Sequence, residues 1–154
     1  MQGVKMRTIA LFVSICLVGV AQLASVAQTT APSPDQAVAQ IPQIIIAGLN
    51  QLRDKGPDEA CNVWFKGSSW ESERGYASWA NSLRSFQEQF GAYQGFDVIR
   101  VEDLSPKIRV IYLALNYEKE PQFVKFVAYK TGDGWILLSL LFNLHEESLE
   151  PNPR

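Results

Sequence analysis

The segment Lys130–Asn143, KTGDGWILLSLLFN, constrains the fold more tightly than any other part of the chain. Gly132, Asp133 and Gly134 form a strong turn signal, so a strand is expected to follow. Successive side chains of a strand point to opposite faces. Ile136, Leu138, Leu140 and Phe142 therefore share one face, and Trp135, Leu137, Ser139 and Leu141 share the other. Both sets are apolar apart from Ser139. A strand of this kind needs a cover on each side.

The rest of the chain supplies the elements around it. Ile44, Ile45, Leu49 and Leu52 recur at helical spacing behind Pro42, which suits a first helical position or kinks a helix begun near Asp35. Gly56-Pro57 ends that helix and opens a short one to Phe65, with Asp58 and Glu59 at its positive end. Ser68 and Glu71 have capping-box spacing before a third helix. There Tyr76, Trp79, Leu83, Phe86 and Phe90 form one aromatic stripe, and Gly91 ends it. A stripe at this period reads as a helix laid on a sheet rather than a platform for ligands. Four strands are expected at Gln94–Val101, Lys107–Tyr117, Phe123–Lys130 and Trp135–Asn143. Their short connections imply antiparallel neighbours. The predicted fold class is α+β: three N-terminal helices packed on a curved four-stranded antiparallel sheet.

Taking Glu118–Glu120 as a three-residue loop assigns the faces. Val110, Tyr112, Ala114, Val124, Phe126, Ala128, Trp135, Leu137 and Ser139 fall on one. Ile111, Leu113, Leu115, Phe123, Val127, Tyr129, Ile136, Leu138, Leu140 and Phe142 fall on the other, with Lys125 as its one charge. A bulge would swap part of this. On the first face small Ala114, Ala128 and Ser139 lie among large Tyr112, Phe126 and Trp135. With Trp79 above them these residues are the candidate ligand pocket, unless the helix fills it. The second face exceeds what three helices can also cover, and apolar patches of that size mark interfaces. Lys125, Val127, Tyr129, Leu138 and Leu140 are the candidate interface of a homodimer.

The helix ending FQEQFGAYQGF, the long strand KIRVIYLALNYE and the closing GDGWILLSLLFN resemble the NTF2-like superfamily, the cystatin-like cone fold. The resemblance covers about Pro42 to Phe142, and is greatest to small exported bacterial proteins of unassigned function. It implies a curved sheet around a cone-shaped interior, and dimerisation through the sheet's outer face. Catalytic members work with aspartate, histidine and tyrosine inside the cone, but this does not transfer residue by residue. The one histidine, His145, follows the last strand beside Glu146 and Glu147. Asp97 reads as an edge charge against aggregation, and is otherwise the one strand carboxylate placed to face inward. Trp64 and Trp70 flank FKGSSW as guards of the cone mouth or as hydrophobic anchors. The expected function is a non-catalytic module that binds a small apolar ligand or a protein partner. The alternative is a cone-fold acid–base enzyme of the isomerase, dehydratase or hydrolase type.

The N-terminus reads as an export signal. Lys5 and Arg7 precede an apolar core over Ile9–Val20, and Ser25-Val26-Ala27 fits a cleavage site. The core is shorter than the roughly 20 residues of a spanning helix. Cys16 sits inside it, unlike a lipoprotein acceptor. The expected organisation is a signal peptide at 1–27, a disordered leader at 28–34, the folded domain at 35–146 and a tail at 147–154, with the mature protein periplasmic or secreted. Removing residues 1–27 from 154 leaves 127. Lys5 and Arg7 leave with them, taking the basic count from 14 to 12 against 16 acids, and the formal balance from −2 to −4. Such a chain, without a Lys/Arg block, points away from nucleic acid and from membranes once the signal is gone. Cys61 is then the sole cysteine, so no internal disulfide forms. No Cys/His cluster, phosphate loop or nucleophile elbow is present, so no metal, cofactor or catalytic residue is expected. Mass spectrometry of protein from its native host is expected to find the mature N-terminus near Gln28. An intact N-terminus held in membrane would contradict the cleavage.

Overall fold

Gly56-Pro57 and Gly91 divide the helical half of the chain, and the turns at 106–107, 118–120 and 131–134 divide the rest. The computed structural model describes residues 34–142, all within the unit Ala31–Arg154. The export signal, the leader up to residue 33, His145 and the 147–154 tail lie outside the described residues. Four helices come first: α1 Pro34–Ala39, α2 Gln43–Asp54, α3 Pro57–Trp64 and α4 Glu73–Phe90. Four strands follow: β1 Tyr93–Ser105, β2 Ile108–Tyr117, β3 Pro121–Lys130 and β4 Trp135–Phe142. They form one open antiparallel sheet in the order β1-β2-β3-β4. The α+β class and the antiparallel meander match expectation. The helix count does not, because α1 is separate from α2, with Pro42 as the N-cap of the latter.

Helix α4 begins four residues later than the capping-box reading placed it. Ser72 is the N-cap, and its hydroxyl accepts the Gly75 amide at 3.0 Å. Ser68 and Glu71 shape the preceding loop instead. The Ser68 hydroxyl donates to the Phe65 carbonyl, and Glu71 accepts the Gly67 amide at 2.9 Å. At the other end, Gly91 adopts φ 89°. There the Lys119 amide and ammonium donate to the Phe90 and Gln89 carbonyls at 3.0 and 2.9 Å. The open carbonyls of the helix are thereby paired with the β2–β3 turn.

The aromatic stripe is core. Tyr76, Leu83 and Phe86 are buried, with Trp79 and Phe90 packed against the same cluster. Helices α2 and α3 bring Ile45, Leu49, Leu52, Ala60, Cys61 and Trp64 to it. Fully burying a side chain such as Phe126 or Leu113 contributes about 1.5–3 kcal/mol. Burial pushes the Cys61 thiol up to about 12, so this thiol stays protonated and unreactive at neutral pH. Arg109 binds Asp103 through two nitrogens at 2.6 and 2.9 Å and donates to the Gln40 carbonyl, tying the α1–α2 turn to the sheet. That bond holds the Asp103 carboxyl below the usual carboxylate range.

Trp64 occupies the middle of the helical layer. It is fully buried, so it is an anchor and not a guard at a cone mouth. Its indole N–H donates to the Ile45 carbonyl at 3.0 Å, and its ring meets Phe126 edge-on at 5.2 Å. It fits because position 48 of α2 has no side chain; a Cβ there would overlap the indole. Alanine for glycine inside a helix normally gains about 0.5–1 kcal/mol. Gly48→Ala is expected to reverse that sign and lose about 1–3 kcal/mol by overpacking. A denaturant melt showing unchanged or higher stability would contradict this seat for Trp64.

Candidate functional site

Strand register decides which side chains share a surface. β2 ends at Tyr117 as expected, but its last pairing with β3 is Asn116–Pro121, which encloses four residues rather than three. Tyr117 stays with β1, opposite Tyr93, and points inward against Phe86 at 6.2 Å between ring centres. That contact sets the phase of β2. Ile111, Leu113, Leu115 and Tyr117 face the helices, and Val110, Tyr112, Ala114 and Asn116 face away. In β3, Val124, Phe126 and Ala128 face the helices, while Phe123, Lys125, Val127 and Tyr129 face away.

A second departure lies in β4. The register shifts between Val127–Ser139 and Ala128–Leu137, leaving Leu138 as the extra residue of a bulge. Leu137 and Leu140 are therefore both buried, whereas Leu138 and Leu141 are 43% and 44% exposed. Two indoles hold this bulged edge. Trp70 Nε1 donates to the Leu138 carbonyl at 3.3 Å, and Trp79 Nε1 donates to the Leu140 carbonyl at 2.7 Å. The two rings meet edge-on at 5.1 Å. Carbonyls that an edge strand would offer to another chain are thus taken by side chains.

The candidate pocket set is split by these two shifts. Trp79, Phe126, Ala128 and Trp135 belong to the helix side, and Trp64 stands against Phe126 there. Tyr112, Ala114 and Ser139 belong to the opposite face, so the seven residues do not enclose one hollow. Of the candidate interface, Lys125, Val127 and Tyr129 share the outer face and Leu138 lies exposed on the bulge. Leu140 is a correction: the bulge turns it inward, where it is 1% exposed. Asp97 is found as the edge charge that its sequence position favours. It is exposed on the edge strand β1, paired opposite Ala114, and accepts from Asn116 Nδ2 at 2.8 Å.

A shallow cleft of about 250 Å3, formed by Asn62, Phe65, Glu71, Ser72 and Tyr76, opens between α3, the 66–72 loop and α4. Sequence reasoning missed it, because its members come from three elements without a shared period. Its polar groups already hold the loop: the Tyr76 hydroxyl donates to Asn62 Oδ1, Ser72 caps α4 and Glu71 binds Gly67. Among the described residues, no cluster of three or more His, Cys, Asp or Glu side chains is placed to hold a metal ion. Among the described residues no Asp, Glu, Lys or Arg is buried; burial acts instead on the Cys61 thiol and the Tyr93 and Tyr117 hydroxyls, raising all three and so keeping them protonated.

The outer face carries exposed apolar side chains at both edges of the sheet. Ile99, bulged out of β1, is 39% exposed, and Leu138 and Leu141 frame the other side. Val110 and Ala114 lie between taller neighbours, Glu102 with Val127 and Asp97 with Phe123. Arg100 lies flat on this face with its guanidinium carbon 4.3 Å from the centre of the Tyr112 ring. No family model, curated protein or solved structure matches the chain. No helix among the described residues is long and apolar enough to cross a membrane.

The indole clamp yields a stability prediction. Trp79→Phe keeps the ring contact with Phe65, now 4.7 Å between centres, but removes the donor to Leu140. A loss of about 1–2 kcal/mol is expected in a denaturant melt, as for a hydrogen bond whose acceptor is left open. A melt identical to wild type would show that the edge of β4 is held by other contacts.

Proposed function

We propose that this chain is an exported, non-catalytic binding module of NTF2-like type, and that its partner is a second copy of itself seated on the outer face of the sheet. The observation that carries the reading is one-sided packing. The helices supply the buried cluster on the inner face, while Ile99, Leu138 and Leu141 remain exposed on the other side. Apolar side chains left exposed along one face of a sheet are the mark of an interaction site on which this reading rests. Export rests on the charged start, apolar core and Ser25-Val26-Ala27 of the sequence. The NTF2-like assignment rests on helices followed by a four-stranded meander, together with the motifs that resemble that superfamily. A second copy is the simplest cover, because two-fold homodimers are the commonest assemblies.

The apolar-ligand reading has less support, since Trp64 and the aromatic stripe occupy the inner face. The acid–base reading has none specific to it, with Asp97 exposed and bound to Asn116. Sedimentation equilibrium of the mature protein is expected to give a dimer at micromolar concentration. Leu141→Glu is expected to give a folded monomer, because it buries an unpaired charge only in the dimer. A wild type that stays monomeric at high micromolar concentration would overturn the proposal, as would a folded Leu141→Glu variant that dimerises unchanged.

A further inference from the structure

Building on the proposed second-copy reading, we infer that the two copies are registered by reciprocal ion pairs, Arg100 of each meeting Glu102 of the other. The pairing of strands arranges the outer face in rows. One row runs Arg100–Tyr112–Lys125–Leu141, and the next runs Glu102–Val110–Val127–Ser139. They lie two residues apart along each strand, about 7 Å at the rise of a strand. A closed two-fold dimer brings the same patch from both copies together, so a patch that carries both signs can pair with itself. This face is of that kind. It carries Arg100 and Lys125 as cations and Glu102 and Asp97 as anions, and a face made for an acidic partner would carry an excess of cations.

Arg100 shows what the isolated chain leaves undone. Its Nε and Nη1 are buried and have no hydrogen-bond acceptor among the described residues. Among the described residues the carboxylate paired with it is Glu102 of the same chain, 3.5 Å from Nε, long for a charge-assisted bond. Both side chains remain reachable, 20% exposed for Arg100 and 39% for Glu102. The guanidinium is held flat against Tyr112 with only this long ion pair, and its exposed edge is where a partner's carboxylate would meet it.

A two-fold axis lying between the sheets, across the strands and midway between the two rows, satisfies both ends at once. It sets Arg100 over Glu102 of the partner subunit and Glu102 over the partner's Arg100. It sets Tyr112 over Val110 of the partner subunit, and the Lys125 stem over the partner's Val127 with its ammonium reaching toward the rim. An axis along the first row itself would place Arg100 on the partner's Arg100, which like charge forbids.

Mixing complementary charge variants tests this register. Arg100→Glu makes this part of the face acidic, and Glu102→Arg makes it basic. Each variant alone is expected to sediment as a monomer with a folded circular-dichroism spectrum, and an equimolar mixture is expected to recover the dimer as a heterodimer. Neutral Arg100→Gln and Glu102→Gln carry no repulsion and serve if either reversal fails to fold. Each is expected to weaken the dimer about tenfold or more, with no further loss when combined. If both reversals dimerise like wild type while Leu141→Glu does not, the ion pairs are overturned and the second-copy reading stands. If the reversals dissociate and the mixture stays monomeric, the register is overturned. If the wild type is monomeric, both inferences fall together.

Discussion

Every side chain of a strand must point to one of two faces, and one layer of helices can dry only one of them. The whole of this structure is organised by that limit. Helices α2, α3 and α4 place Trp64, Phe65, Leu83 and Phe86 on one side of the sheet, where Leu113, Phe126 and Leu137 meet them. Nothing in the four-strand meander relieves the other side, because its connections are too short to carry a second layer. The residues left there are not the polar set of a solvated sheet. They include Phe123, Val127, Tyr129, Leu138 and Leu141.

Within that limit, the inner layer is fixed by a few close fits. Gly48 lets the Trp64 indole lie against α2, and the Ile45 carbonyl receives its N–H. The Phe65 ring lies parallel to Tyr76 and tilted against Trp79, which joins the end of α3 to α4. Trp70 and Trp79 then clasp the bulged edge of β4, and Lys119 closes the C-terminus of α4. Helices and strands are thus held by directional bonds at both ends of α4. Shape alone holds the middle. The same indole bonds blunt the β4 edge, so the face rather than that edge is the surface left for another chain.

The sequence shows the elements much more clearly than their faces. Apolar runs bounded by Gly132–Gly134 and Ser105-Pro106 locate strands, and the stripe from Tyr76 to Phe90 locates α4, because burial repeats at each element's own period. Register depends on contacts far apart in the chain. Tyr117 is drawn inward by Phe86 and Tyr93, and no residue in Glu118–Glu120 announces the one-residue shift that results. That shift carries Tyr112 and Ala114 outward. The bulge at Leu138 is silent for another reason: a strand apolar on both faces loses nothing visible when its phase slips, and Leu140 turns inward. Lys125 shows the opposite case, since a single charge marked the outer phase of β3 correctly. Ser68 and Ser72 illustrate the same limit for caps, since both precede the helix and only the fold selects Ser72.

The central claim is that the outer face of the sheet is an interface, and it can be read residue by residue in solution. Hydroxyl-radical footprinting of the mature protein, at a dilute and at a high micromolar concentration, measures how accessible each side chain is. The account predicts that Tyr112, Tyr129 and Leu141 become protected as concentration rises, while Trp70, exposed on the helix-side loop, reacts equally at both. Unchanged reactivity of Tyr112, Tyr129 and Leu141 across that range, or protection confined to Trp70, would contradict it.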